Sequence, residues 1–370
     1  MKRFSDFADD LGLTSITSRP LRIHVLLPGL LVAFLLFFFS VRLLGAATDN
    51  LSESIPHYHW TVIGNDLSAL GAGWLGALVM MNGSVVAALS LSFFHSDLID
   101  HSNLFMMISG SRLGASGIIF IIGILDHLHG RKTTLEDSTS MGVLAFLLTH
   151  SIYIPATVLG FLLLPILTTP VLDPKMMDYA AVPAFQIFTP TIDSIVKFSS
   201  WLSVPFALLV MFLSLKLFDA IFCCLDGNAI GKRLLSFFDS KWTAFFLGLL
   251  MSIMTASVAL SLGIFVPLYN RNMIKKTSLI PYIMGANIGT LADTLLVGII
   301  LENAGGVLVV IILAGLALMI TIIALVAGNR FIESVEHLQD RIVGDRYLFF
   351  EFWAIMLAAP ILLILIHFLK

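Results

Sequence analysis

Uninterrupted apolar runs at 23–40, 143–167 and 307–327 leave this chain few ways to fold. Each approaches or exceeds the roughly 20 residues an α-helix needs to cross a hydrocarbon core. Within a bilayer no water pairs with backbone N–H and C=O groups, so a spanning segment must satisfy them internally, as a helix does. Only 12% of the residues are charged and 58% are hydrophobic, with a mean hydropathy of +0.97, well outside the range of a soluble domain. The expected class is an all-α integral membrane protein with the lipid bilayer as its solvent. Nucleic acid is not an expected partner, because no basic run exceeds two residues. Cys223 and Cys224 are neighbours, which disfavours disulfide geometry, and they read as reduced packing residues.

Charge sets the expected topology. Residues 1–22 carry Lys2, Arg3, Arg19 and Arg22, whereas 45–60 carry neither Lys nor Arg. The positive-inside rule then puts the N-terminus in the cytoplasm, with the cell (inner) membrane as the expected location. The run at 23–44 is expected to be a mature spanning helix and not a cleaved signal peptide, since its leader is long and contains Asp6, Asp9 and Asp10. Further crossings are expected at 103–125, 140–167, 201–222, 278–301, 307–327 and 348–368, while 66–94 and 242–268 each dip in and return. On that scheme Arg131, Lys132, Lys232, Arg233, Lys275, Lys276, Arg330, Arg341 and Arg346 all fall on the cytoplasmic side, although only the N-terminus set the orientation.

The chain also repeats itself. Asn82-Gly83-Ser84-Val85-Val86-Ala87 followed by Gly110-Ser111-Arg112-Leu113-Gly114-Ala115 matches Thr255-Ala256-Ser257-Val258-Ala259-Leu260 followed by Gly285-Ala286-Asn287-Ile288-Gly289-Thr290. Each half holds three crossings and one hairpin, and an odd number of crossings inverts the second copy. The expected organisation is a cytoplasmic segment at 1–22, a first repeat at 23–168, an external linker at 169–193, an inverted second repeat at 194–328, a cytoplasmic linker at 329–346 and an extra helix at 347–370. Each repeat is expected to contain a re-entrant helical hairpin and a broken transmembrane helix.

The interruptions are where chemistry is expected. At about 1.5 Å per residue each limb of a hairpin spans roughly 20 Å, short of the roughly 30 Å core. Half-helix tips near the midplane offer N–H groups and partial positive charge to an anion. The pairs Gly110/Gly114 and Gly285/Gly289 have a plainer reading as close-packing Gly-x-x-x-Gly motifs. Arg112 and Asp293 point the other way, because an ionised group inside an apolar run is costly and marks function or pairing. Arg112 is assigned as counter-charge to an anionic substrate and Asp293 as partner to a coupling cation. The competing arrangement is that the two merely neutralise each other across the repeat interface. His150 and Gln186 read as satisfied structural groups, and Asn65/Asp66 and Asp239/Ser240 as helix caps. No P-loop, nucleophile elbow or metal-ligand cluster is present, so neither enzymatic activity nor a cofactor is expected.

At Gly285-Ala286-Asn287-Ile288-Gly289-Thr290 the chain resembles the sodium/phosphate cotransporter family. That family carries a Gly-Ala-Asn-Ile-Gly-Thr-Thr segment after a Gln-Ser-Ser-Ser segment in each of two inverted halves. The resemblance implies alternating access, sodium as coupling ion and phosphate or a similar small anion as cargo. It implies substrate contacts at Asn82, Gly83, Ser84, Ser111, Arg112, Thr255, Ala256, Ser257 and Asn287, and sodium contacts at Ser84, Ser257, Gly285, Asn287, Thr290 and Asp293. This chain departs from the pattern at Met81-Asn82-Gly83-Ser84 and Met254-Thr255-Ala256-Ser257, where both glutamines are lost, and Arg112 replaces an asparagine. Alternatives are therefore a different anion, proton coupling through Asp293, or a non-transporting structural or signalling subunit. A homodimer is expected to use 348–368 as its docking helix.

Overall fold

A computed structural model describes residues 23–54, 65–128, 134–168, 188–223, 235–255, 261 and 275–366. All regular structure among the described residues is helical. The helices are α1 (Ile23–Ser54), α2 (Asp66–Val79), α3 (Gly83–His95), α4 (His101–Leu128), α5 (Leu135–Thr168), α6 (Thr189–Phe198) and α7 (Ser200–Cys223) in the first part of the chain. A short 3-10 turn at Leu235–Asp239 leads to α8 (Lys241–Thr255), α9 (Lys276–Gly289), α10 (Leu291–Ile300), α11 (Ala304–Ala327), α12 (Asn329–Gly344) and α13 (Arg346–Leu365).

Among the described residues, seven stretches are long and apolar enough to cross a membrane: Leu27–Glu53, His101–Leu125, Ser138–Thr168, Trp201–Ile221, Lys276–Ile300, Ala304–Ala327 and Arg346–Leu365. They fall within a few residues of the expected crossings, except that the first extends past 44. Their outer faces are apolar too. Val158, Leu162 and Ile166 recur at four-residue spacing along α5 and are all more than half exposed. In water such a stripe would be a large unfavourable patch, and in lipid it is ordinary.

α2, α3 and α8 have 14, 13 and 15 residues. At about 21 Å or so they fall short of a bilayer core. Asn65 caps α2, its Oδ1 accepting from Ser68 N at 2.7 Å while Ser68 Oγ accepts from Asn65 N at 3.2 Å. α2 ends at a turn over Met80–Asn82 in which Met81 takes φ 51, and α3 starts at Gly83. The turn sits slightly earlier than the Asn82–Ser84 interruption puts it. The matching turn after α8 lies outside the described residues, as do Ala256, Ser257, Gln186 and Cys224.

The glycines explain how the short helices are held. A Cβ on Gly73 would strike the Met107 carbonyl, one on Gly110 the Leu70 carbonyl, and one on Gly114 the Trp74 carbonyl. The second half repeats these contacts 175 residues later: Gly248 on Tyr282, Gly285 on Phe245 and Gly289 on Leu249, again carbonyl by carbonyl. α2 lies on α4 as α8 lies on α9, with backbones close enough that no side chain fits between them. This register is two residues longer than the 173-residue sequence shift that pairs Ser84 with Ser257.

Three expectations change. α4 runs unbroken through Gly110–Ala115, so the first repeat has no broken helix there. Its glycines serve packing and keep ordinary helical dihedrals. In the second half the interruption is slight: Thr290, with φ −67 and ψ −12, separates α9 from α10. The segment 329–346 is not a solvated linker but mostly the amphipathic helix α12, with Ile332, Val335 and Ile342 buried. Gln339 Nε2 donates to Ser140 O at 3.2 Å, and Lys276 Nζ pairs with Asp340 Oδ1 at 2.8 Å, so α12 ties the start of α5 to the start of α9. α13 covers the first half, with Pro360 against Gly71 and Phe349 and Phe352 against Phe120.

Gly285→Ala should destabilise the protein by about 1–3 kcal/mol, because the new methyl meets backbone that cannot yield. Gly315→Ala, with open space around its Cβ position, should be neutral or mildly stabilising. Thermal unfolding in detergent checks the pair, and equal melting temperatures would contradict the packing account.

Candidate functional site

Arg112 enters α4 two residues after Gly110 and two before Gly114. The glycines face α2, so the residue between them points away from that contact, towards the second half of the chain. Its guanidinium is buried, with the residue 4% exposed. Nη1 donates to the Thr290 carbonyl at 3.2 Å and Nη2 to Thr294 Oγ1 at 3.4 Å, both across the two halves. Nε donates to Ser111 Oγ of its own helix at 3.4 Å.

Asp293 is buried next to these partners. Its Oδ1 accepts from Thr294 Oγ1 at 3.0 Å. The Ser84 hydroxyl lies against the same carboxylate, while Oδ2 closes no hydrogen bond of good geometry. Arg112 is near enough for its charge to act on Asp293, yet among the described residues no direct ion pair joins them. The two groups meet through the Thr294 hydroxyl and not by direct contact. Arg112 donates to one carbonyl and two hydroxyls, and Asp293 accepts from hydroxyls, as buried polar groups must be paired when water is excluded.

A chain of hydrogen bonds extends the site along α5. Tyr153 Oη donates to the Asn287 carbonyl at 2.9 Å, which also accepts from Thr290 Oγ1 at 2.9 Å. Asn287 Nδ2 donates to Thr149 Oγ1 at 2.9 Å. Asn287 is thus held from both ends by α5, and α9 stops beside Arg112.

The structure brings together Ser84, Ser111, Arg112, Asn287, Thr290 and Asp293. Gly83 places the hairpin tip on α4, since a Cβ there would meet Ser111 O and Ala115. Asn82 is an N-cap, its Oδ1 accepting from Ser84 N at 2.9 Å and Val85 N at 3.2 Å. Two of the tip N–H groups expected to face an anion are therefore already engaged. Gly285 packs on α8, where a Cβ would meet the Phe245 carbonyl. Thr255 Oγ1 donates to Met251 O at 2.8 Å within its own helix. His150 stacks on Phe146, its Nδ1 at 2.9 Å from the Phe146 carbonyl and its Nε2 without a partner, on the side of α5 towards Trp74.

Thr149, Tyr153 and Thr294 were missed from the sequence. Thr149 and Tyr153 are four residues apart in an apolar run, one turn of helix, and that spacing is the one available hint. Thr294 adjoins Asp293 and had no separate mark.

Residues 201–338 match a family model described as Na+/Pi-cotransporter, and the Gly285–Thr290 segment lies inside the matched stretch. No curated protein and no solved structure matches the chain. Together with the seven apolar helices, the match describes a multi-pass membrane protein with a transporter-family segment.

Thr294→Val removes an acceptor from a buried guanidinium and should cost about 1.5–3 kcal/mol, whereas Tyr153→Phe leaves the Asn287 carbonyl its second donor and should cost about 0.5–1.5 kcal/mol. Melting temperatures in detergent should fall in that order, and the reverse order would contradict the assigned roles.

Proposed function

We propose that the chain, whose residues 201–338 carry the Na+/Pi-cotransporter family match, is a secondary active transporter for sodium-coupled uptake of phosphate or a similar small anion. One observation carries the reading: a buried cation on α4 of the first half bonds to the α9–α10 junction of the second. Binding groups at the meeting of two structural repeats are what alternating access requires, because rocking one repeat against the other opens the site to each side in turn.

In this reading α2 and α3 form a re-entrant hairpin whose tip reaches the bilayer interior, α8 begins a second, and the two repeats are inverted, with the N-terminus in the cytoplasm of a cell-membrane protein. The anion lies near Ser84, Ser111, Arg112 and Asn287, with Arg112 offering it the N–H groups not spent on Thr290, Thr294 and Ser111. Asn82, Gly83 and the 255–257 tip shape the cavity around it. The coupling ion uses oxygens at the 82–84 and 255–257 interruptions, among them Ser84 and Ser257. The unpaired Oδ2 of Asp293 favours a second reading, in which a proton on that carboxylate takes the place of sodium.

Radiolabelled phosphate uptake into proteoliposomes tests the first reading. An inward sodium gradient should stimulate uptake, and Arg112→Ala should reduce it at least about tenfold, the loss of a charge-assisted contact to the anion. Uptake driven by a pH gradient without sodium, and abolished by Asp293→Asn, would select the second reading. Absence of flux under either gradient, from folded protein and across an anion screen, would contradict both.

A further inference from the structure

The junction between α9 and α10 has the makings of an alkali-cation seat, and something already sits in it. Thr290 contributes a carbonyl, Thr294 a hydroxyl and Asp293 a carboxylate, all from one short stretch. Backbone carbonyls at helix interruptions, joined by side-chain oxygens, are hard ligands of the kind that hold sodium in transporters. Two of the three groups, Thr290 and Thr294, receive N–H bonds from Arg112, and Asp293 lies within reach of its charge.

The charges close without any added ion. Arg112 is 4% exposed and Asp293 9% exposed, and as an ionised pair they leave the pocket neutral. A sodium ion placed on the same oxygens would displace the guanidinium or face its like charge in surroundings that screen it poorly. Vacating the arginine would leave a buried carboxylate with nothing to balance it, which is the condition that makes a cation bind.

We propose that Arg112 is a built-in cation, supplied by the first half of the chain as a permanent substitute for one sodium ion at the α9–α10 junction. The inference deepens the transporter reading by assigning a coupling stoichiometry one sodium lower than the same cradle would take if vacated. The occupied cradle itself is a property of the folded chain and does not depend on transport.

Thermal unfolding of purified protein in sodium chloride against choline chloride, at equal ionic strength, tests it. Arg112→Ala should gain a sodium-dependent rise in melting temperature beyond that of the wild type, about 2 °C at sodium tenfold above its dissociation constant. Arg112→Lys, which keeps the charge, should not gain it, and Arg112→Ala combined with Asp293→Asn should lose it. A sodium response in Arg112→Ala equal to that of the wild type, or the same gain in Arg112→Lys, would overturn the proposal. Aggregation of Arg112→Ala in sodium and choline alike would overturn it as well, since an opened seat must be fillable by sodium. Because no flux is measured, failed phosphate uptake and an unchanged sodium response remain separate results.

Discussion

A guanidinium cannot be taken out of water and left alone, and in this protein that constraint joins the two halves. Arg112 has no carboxylate in direct contact, so its solvation comes from a carbonyl and two hydroxyls. Two of those three acceptors belong to the opposite half. Separating the halves would strand a buried charge at a cost of several kcal/mol.

Backbone proximity makes the site possible. The rows Gly73, Gly110 and Gly114, and Gly248, Gly285 and Gly289, let α2 lie directly on α4 and α8 directly on α9. In the first half this seats the tip of α3 on α4, with Gly83 against Ser111 and Ser84 beside Asp293. In the second it leads to the interruption at Thr290, whose carbonyl is one of the oxygens that receive Arg112. α5 then fixes Asn287 through Thr149 and Tyr153. Lipid-facing surfaces contribute little to this arrangement beyond keeping water away from it.

Much of the fold was legible because the bilayer permits so few alternatives. Long apolar runs had to be helices, and the small polar interruption expected to turn at 82–84 does so slightly earlier, over Met80–Asn82, with α3 beginning at Gly83. The Gly110–Ala115 segment misled because glycine has two uses, loosening a helix and admitting a neighbouring backbone, and spacing does not separate them. Arg112 tipped the reading towards a break, although a charged residue on a continuous helix can be solvated by another element just as well. α12 was read by its charge as a linker, while its apolar stripe at Ile332, Val335 and Ile342 follows helical spacing. The site itself was half visible. Arg112 and Asp293 stood out by the cost of burying them, whereas Thr149, Tyr153 and Thr294 did not, since hydroxyls in apolar helices bond to their own backbone as readily as across a site.

The central claim is that the buried cluster between the halves opens to each side of the membrane in turn. It is tested most directly by a single cysteine at Ser84, with Cys223 and Cys224 replaced, probed in oriented vesicles by a membrane-impermeant thiol reagent. The account predicts labelling from both faces, with sodium and phosphate shifting the balance between them. Labelling from one face alone, whatever the substrate conditions, would contradict it.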